Sequence, residues 1–253
     1  MAVLQGTLPG THFSPAAKVG DESEPAPTEA PVVPNPPPGS DDVSGRVHRR
    51  LIGSVGLALP LLLYFIAAVA PNDPAHRWEW LGSVSSYYYT SGVVAFIGLL
   101  IALSLYLFAY QGYDNDWQGR DILWARIAAG AALCVATFPT SAPAGLEPRW
   151  WVEGTQWFHY LSAVALFSAF AVFCFKIFTL GPKRPDKYRA WQNRIYRACG
   201  VIIIGMMILA AVMGYFNMPI FWPEVGALGA FAVSWLVKGK IEKPIVEAIK
   251  KKT

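Results

Sequence analysis

The sequence predicts an all-α fold: a polytopic membrane helical bundle of six transmembrane helices, with both termini cytoplasmic and a disordered N-terminal tail. Three observations predict it. Six apolar stretches are separated by short polar loops. Only 15% of the residues are charged, against about 25% in a soluble domain, and mean hydropathy is +0.34. The basic residues fall almost wholly on alternate loops.

Residues 1–45 hold nine of the twenty prolines and six of the seventeen acidic residues, with no apolar periodicity. Such a segment buries too little surface to offset its ordering entropy, which predicts a disordered tail. Arg46-Val47-His48-Arg49-Arg50 then leads into the apolar run Leu51 to Ala70. A basic start and Ala68-Val69-Ala70 imitate a signal peptide. The run is too long for one, and Pro71 stands just after the would-be cut. The run is therefore read as the first span, with a kink expected at Pro60. Five more spans follow at roughly 90–110, 123–138, 158–178, 201–216 and 222–237. The bundle thus occupies 46–237, and 238–253 is a basic cytoplasmic tail. Small residues at four-residue spacing, Ala128, Ala132 and Ala136 in the third span and Gly226 and Ala230 in the sixth, let helices approach closely.

Orientation follows from counting. With the N-terminus inside, inner segments hold eighteen Lys and Arg, whereas the outer loops hold only Arg77 and Arg149. The positive-inside rule then sets both termini in the cytoplasm of a multi-pass protein of the cell (inner or plasma) membrane. Trp78, Trp80, Trp150, Trp151, Trp157 and Trp222 lie in the outer loops and suit an interfacial aromatic belt.

Chemistry-bearing residues gather at the outer ends of the spans. Ser85, Ser86, Tyr87, Tyr88, Tyr89 and Thr90 enter span two, His159 opens span four after Glu153, and Glu224 opens span six. An ionisable group at membrane depth is a functional candidate. Ser85, Ser86, Tyr88, Glu153, His159 and Glu224 are therefore the candidate ligand-binding residues, with Ser86, Tyr88 and His159 expected to converge on one outward cavity. Hydroxyls there can orient a histidine or a ligand by hydrogen bonds. The plain structural alternative is an interface-level histidine bonded to a neighbouring helix.

At the inner side, Asp114, Asp116 and Asp121 with Arg120 and Arg126 read as a short solvated loop with an Asp–Arg pair. Pro182–Cys199 sets Tyr188, Trp191 and Ile195 apart from its basic residues and reads as an interfacial amphipathic helix. Anionic lipid is the partner expected at Lys183, Arg184, Lys187, Arg189, Arg194 and Arg197. A net charge of +4 placed this way is no sign of nucleic-acid binding. Cys134, Cys174 and Cys199 lie in or beside apolar runs and read as buried, inert thiols.

Ser85-Ser86-Tyr87-Tyr88-Tyr89-Thr90, Gly112-Tyr113-Asp114, Phe138-Pro139-Thr140 and His159-Tyr160 resemble a set of uncharacterised bacterial six-span membrane proteins. These are loosely similar to the domain-of-unknown-function 998 and Frag1/DRAM/Sfk1 kind. The resemblance covers about residues 46–237 and implies the six-span fold but no established activity. The family's Met-Arg-Asp-like turn is replaced here by Ser91-Gly92-Val93, so no role for its arginine carries over. Zinc-dependent membrane hydrolases of the ceramidase and progestin-receptor-like kind are a poor fit. The chain has only His12, His48, His76 and His159 and no H-x-x-x-H, and catalytic zinc usually needs three protein ligands. No metal or other cofactor is expected.

The function expected is a non-enzymatic membrane protein that binds or senses a lipid or small molecule in an outward polar pocket. The competing readings are a transporter or channel subunit and a membrane-embedded lipid-modifying enzyme. The charge asymmetry makes a direct prediction. A reporter active only in the cytoplasm will work when fused at Thr253, and one active only outside will work near Arg149. The opposite pattern overturns the orientation.

Overall fold

The structure is a computed structural model and describes residues 40–71, 78–112, 118–142, 152–180 and 187–240. The tail through residue 39, His76, Arg77, Asp114, Asp116, Arg149, Trp150, Trp151, Lys183, Arg184 and the C-terminal tail from residue 241 lie outside the described residues.

The described residues form six α-helices: α1 (Ser40–Val69), α2 (Val93–Phe108), α3 (Gln118–Thr137), α4 (Thr155–Val172), α5 (Lys187–Tyr215) and α6 (Phe221–Lys238). A 3-10 turn, Ser85–Tyr89, precedes α2, and a π-helical turn, Phe173–Ile177, prolongs α4. No strand occurs among the described residues. α1, α4 with its π extension, and α5 are long and apolar enough to cross a membrane. α2 is apolar but has 16 residues, about 24 Å of helix at 1.5 Å per residue against a hydrocarbon core of about 30 Å. α3 opens with Arg120, Asp121 and Arg126, which dilute its apolar character.

Each helix packs on its neighbour in the chain, and α6 closes the ring on α1. The helices alternate in direction, so the bundle has two chemically distinct ends. At one, here termed inner, His48 Nε2 lies 2.8 Å from the Tyr106 carbonyl, and Arg50 donates to the carbonyls of Gly239 and Lys240 at 2.8 and 2.9 Å. Those two bonds satisfy carbonyls left open at the end of α6. At the outer end, the N–H groups of Ile220 and Phe221 donate to the Gly82 carbonyl at 2.6 and 3.0 Å.

Close approach depends on small residues. A Cβ on Gly53 would lie 2.8 Å from Leu236 Cγ and 2.9 Å from the Ala232 carbonyl oxygen, and one on Gly56 would meet the Phe231 ring at 2.6 Å. Glycine therefore sets the α1–α6 seam. Ala128, Ala132 and Ala136, the expected small-residue stripe of α3, are all buried. Between the ends sits an aromatic block. Phe170 stacks on Phe231 at 3.7 Å between ring centroids, and Trp235 contacts Phe173, Phe178 and Tyr110 edge-on or tilted.

Several expectations change. Helix α1 begins at Ser40, ahead of the expected boundary at 46; Ser-Asp-Asp is a helix-start composition. The described part of the amphipathic segment, Lys187–Cys199, forms the first turns of α5, which runs on unbroken to Tyr215. Its Tyr188 and Trp191 are exposed, as are Lys187, Arg194 and Arg197, whereas Arg189 turns partly inward. Asp121 is fully buried rather than solvated. Cys174 and Cys199 are buried and Cys134 is half-buried; all three are free thiols.

The seam can be tested by volume. Gly53→Val forces a branched side chain against backbone and lowers stability by about 1–3 kcal/mol. Gly98→Ala, where a Cβ meets nothing within 4 Å, is neutral or slightly stabilising. Thermal unfolding in mild detergent reads both, and equal behaviour of the two variants contradicts a close-packed α1–α6 seam.

Candidate functional site: the outer cavity

The outer end is built on the chain between α1 and α2. Glu224, in the first turn of α6, accepts from the Val84 N–H at 2.5 Å and from Ser83 Oγ at 3.2 Å. Together with the Gly82 carbonyl bonds, this clamps the segment Gly82–Val84 to α6. The clamp fixes the 3-10 turn that follows, and with it Ser85.

His159 is reached from the other side. Gly154, at φ +94°, turns the chain into α4, and His159 one turn later is buried at 2% exposure. Its Nδ1 lies 2.7 Å from the Phe138 carbonyl and its Nε2 lies 2.9 Å from Ser85 Oγ. A carbonyl only accepts, so in the neutral ring Nδ1 carries the proton and Nε2 accepts from the Ser85 hydroxyl. The separation expected from the sequence was within about 8 Å, one bridging group away. The contact is direct.

Four more hydroxyls form a rim beside this pair. Tyr89 donates to the Thr140 carbonyl at 2.6 Å, Ser141 Oγ lies 2.8 Å from Tyr160 Oη, and Thr140 Oγ1 donates to Tyr160 Oη at 3.4 Å. Below the rim is a cavity of about 610 Å³. Its polar end is lined by Ser83, Ser85, Ser86, His159, Glu224 and Asn217. Its opposite wall is apolar: Ala163, Val164 and Phe167 from α4, and Met206, Met207, Ala210 and Ala211 from α5. Val164 is 56% exposed and Ala211 is exposed as well, so the cavity opens sideways between α4 and α5.

Of the sequence-chosen residues, Ser85, Ser86, His159 and Glu224 come together. Tyr88 does not. Its ring packs edge-on against Tyr89 and Phe96, which draws it toward the core and away from the cavity. Glu153 does not either; it is left exposed in the turn ahead of Gly154. Tyr87 is fully buried beside Phe221, and Tyr89 pins the end of α3. Burial pushes the phenols of Tyr87 and Tyr88 further above neutrality, so both stay protonated. Ser83, Asn217 and the α5 methionines were not among the chosen residues. Ser83 and Asn217 are single polar residues in loops, and Met206-Met207 reads as ordinary span composition. Met suits an adaptable wall.

The clamp predicts a graded effect. Glu224→Ala leaves the Val84 N–H without its acceptor and lowers stability by about 1–3 kcal/mol. Glu224→Gln keeps one oxygen acceptor and costs less. Thermal unfolding of the purified protein gives the order, and a Glu224→Ala variant as stable as wild type sinks the clamp.

No family model, no curated protein and no solved structure matches this chain, so the site is argued from its own geometry.

Proposed function

We propose that the chain is a six-span protein of the cell membrane that holds a lipid or similar amphiphile in its outer cavity. A polar head would sit against Ser85, Ser86, His159 and Glu224, and an acyl chain would run along the α4–α5 wall. The observation that carries this reading is the cavity's division into a hydroxyl-and-histidine end and an Ala/Met/Phe wall that is open at the side. Its volume of about 610 Å³ is in the ordinary range for ligand sites, about 300–1,000 Å³. Kinship with the six-span family of unknown activity belongs to this proposal and adds no activity to it.

The Ser85–His159 pair favours a second reading, acyl transfer with Ser85 as nucleophile and His159 as base. Binding is preferred because the turn offers little to hold an oxyanion. The N–H groups of Ser85, Ser86 and Tyr87 are spent on Ser83 Oγ, the Ser83 carbonyl and the Val84 carbonyl. Transport is disfavoured by the Phe170–Phe231 stack and Trp235, which lie between the two ends. The buried hydroxyls Ser104 and Ser234 donate to the backbone carbonyls of Ala129 and Phe231.

The test separates head from tail. Protein purified in mild detergent is examined by native mass spectrometry for retained lipid. His159→Ala removes a head contact, and Ala210→Trp fills the apolar wall. Losing contact with two methylenes, at about 0.8 kcal/mol each, weakens retention about tenfold. Both variants should lose lipid while remaining monodisperse. Undiminished retention in both overturns the proposal.

A further inference from the structure

The inner end holds a second, smaller cavity of about 140 Å³, lined by Arg49, Arg189, Lys238 and Lys240 together with Gln192 and Asn193. Arg49 comes from α1, Arg189, Gln192 and Asn193 from α5, Lys238 from the end of α6 and Lys240 from the turn just after it. Arg49 and Gln192 are buried at 8% exposure. The charged groups acting on the Lys238 ammonium are Arg189, Arg49 and Lys240, which repel it, and Asp121, which attracts it. Among the described residues, four cations thus face one carboxylate. Concentrating like charge away from water is costly unless an anion balances it.

Two of the four cations also serve the fold. Lys238 Nζ donates to the Phe178 carbonyl at 3.1 Å and sits 5.3 Å over the Phe178 ring, and Arg189 donates to the Leu180 carbonyl. These bonds close the end of the α4 π extension. Asn193 adds a second sign. Its Oδ1 is buried with no hydrogen-bond partner, and an amide turned over would present its NH₂ to an acceptor. The cavity is several times the volume of one water, about 30 Å³ in the liquid, so a tetrahedral oxyanion fits. Fixed guanidinium groups suit the forked recognition of phosphate oxygens.

We infer that the inner cavity bounded by Arg49, Arg189, Lys238 and Lys240 is a binding site for a phosphate group. Two sources share this chemistry: free phosphate and the headgroup of an anionic phospholipid. The site is set in the bundle rather than spread over the exposed basic face of α5, and it is separate from the outer cavity.

The experiment uses the full chain in neutral detergent. One arm titrates inorganic phosphate against chloride of equal ionic strength and follows Tm. The other offers phosphatidylglycerol or phosphatidylcholine and reads retention by native mass spectrometry. Lys240→Gln and Arg189→Gln each remove a cation; Lys240 is half-buried and its side chain is not one of the caps described, so that variant keeps the fold. Lys176→Gln, at an exposed lysine outside the cavity, controls for net charge. Losing one charged hydrogen-bond donor should weaken binding about tenfold, with Lys176→Gln unchanged. A phosphate-specific Tm shift lost in the two cavity variants assigns free phosphate. Retention of phosphatidylglycerol alone, lost in the same variants, assigns the headgroup. If neither ligand exceeds its control, or if the cavity variants bind as wild type does, the proposal is overturned and the balancing charge comes from the chain itself.

Discussion

The outer end of the molecule depends on the short chain Gly82–Val84 being held to α6. Four bonds do this: two from the α6 start to the Gly82 carbonyl and two from Ser83 and Val84 to Glu224. The segment is irregular backbone beside a helix start, where N–H and carbonyl groups on both sides would otherwise need water. Pairing them with each other allows the chain to lie against the bundle. The 3-10 turn then leaves this anchor in one direction only. Ser85 faces His159 because Glu224 fixes the start of the turn while the Phe138 carbonyl fixes the imidazole. A serine and a histidine 74 positions apart meet through supports from α3 and α6, not through their own pair bond alone.

The cavity arises from a taper between α4 and α5. At the inner end the Phe175 ring is pressed against the backbone of α5 at Gly200. A Cβ on Gly200 would lie 2.7 Å from the Phe175 ring, and Phe175 belongs to the π turn. A π turn shifts side-chain direction relative to the preceding α-helix, and such turns often accompany functional sites. Toward the outer end α5 carries Met206, Met207, Ala210 and Ala211 on the facing side, and α4 carries Ala163. Small and flexible side chains at diverging positions do not fill the gap. α6 keeps contact with α5 across Gly226, where a Cβ would meet Met206 at 3.2 Å. One side of the wedge is thereby closed and the other left open.

Much of this was legible in the sequence, for reasons tied to period and composition. Long runs poor in charge predicted helices at six places, and the described residues hold six α-helices, three of them long and apolar enough to cross a membrane. His159 stood out because an ionisable side chain in such a run is expensive. Ser85 and Glu224 were visible as polar residues at span mouths. Tyr88 and Glu153 were chosen on the same ground and lie elsewhere, since adjacency at a mouth does not fix direction. Direction came from Phe96 taking the Tyr88 ring and from the positive φ of Gly154, both set by packing and local backbone. The wall residues of α5 carried no signal, because Met and Ala are what any span contains. The inner cations were visible as a charge count, yet their gathering around one cavity required α1, α5 and α6 to be brought together.

The open side of the outer cavity bears on what could enter it. The outer half of α5 and the turn after it expose Val201, Ile208, Val212, Tyr215 and Phe216, each at roughly half or more of its surface. In water this would be a large apolar patch and a site of aggregation. Against acyl chains it costs nothing, because lipid tails are as apolar as the side chains. The gap between α4 and α5 lies beside this face, at Val164 and Ala211. In a membrane-spanning arrangement its occupant would come from the hydrocarbon, and a hydrophilic solute would have to pass the Tyr89, Thr140, Ser141 and Tyr160 rim instead. The rim hydroxyls bond to one another and to backbone, so admitting a solute there means breaking those bonds. A side opening onto apolar surface asks for no such exchange. Under the proposed function, such a geometry would select for molecules already dissolved in the bilayer whose polar end can reach His159.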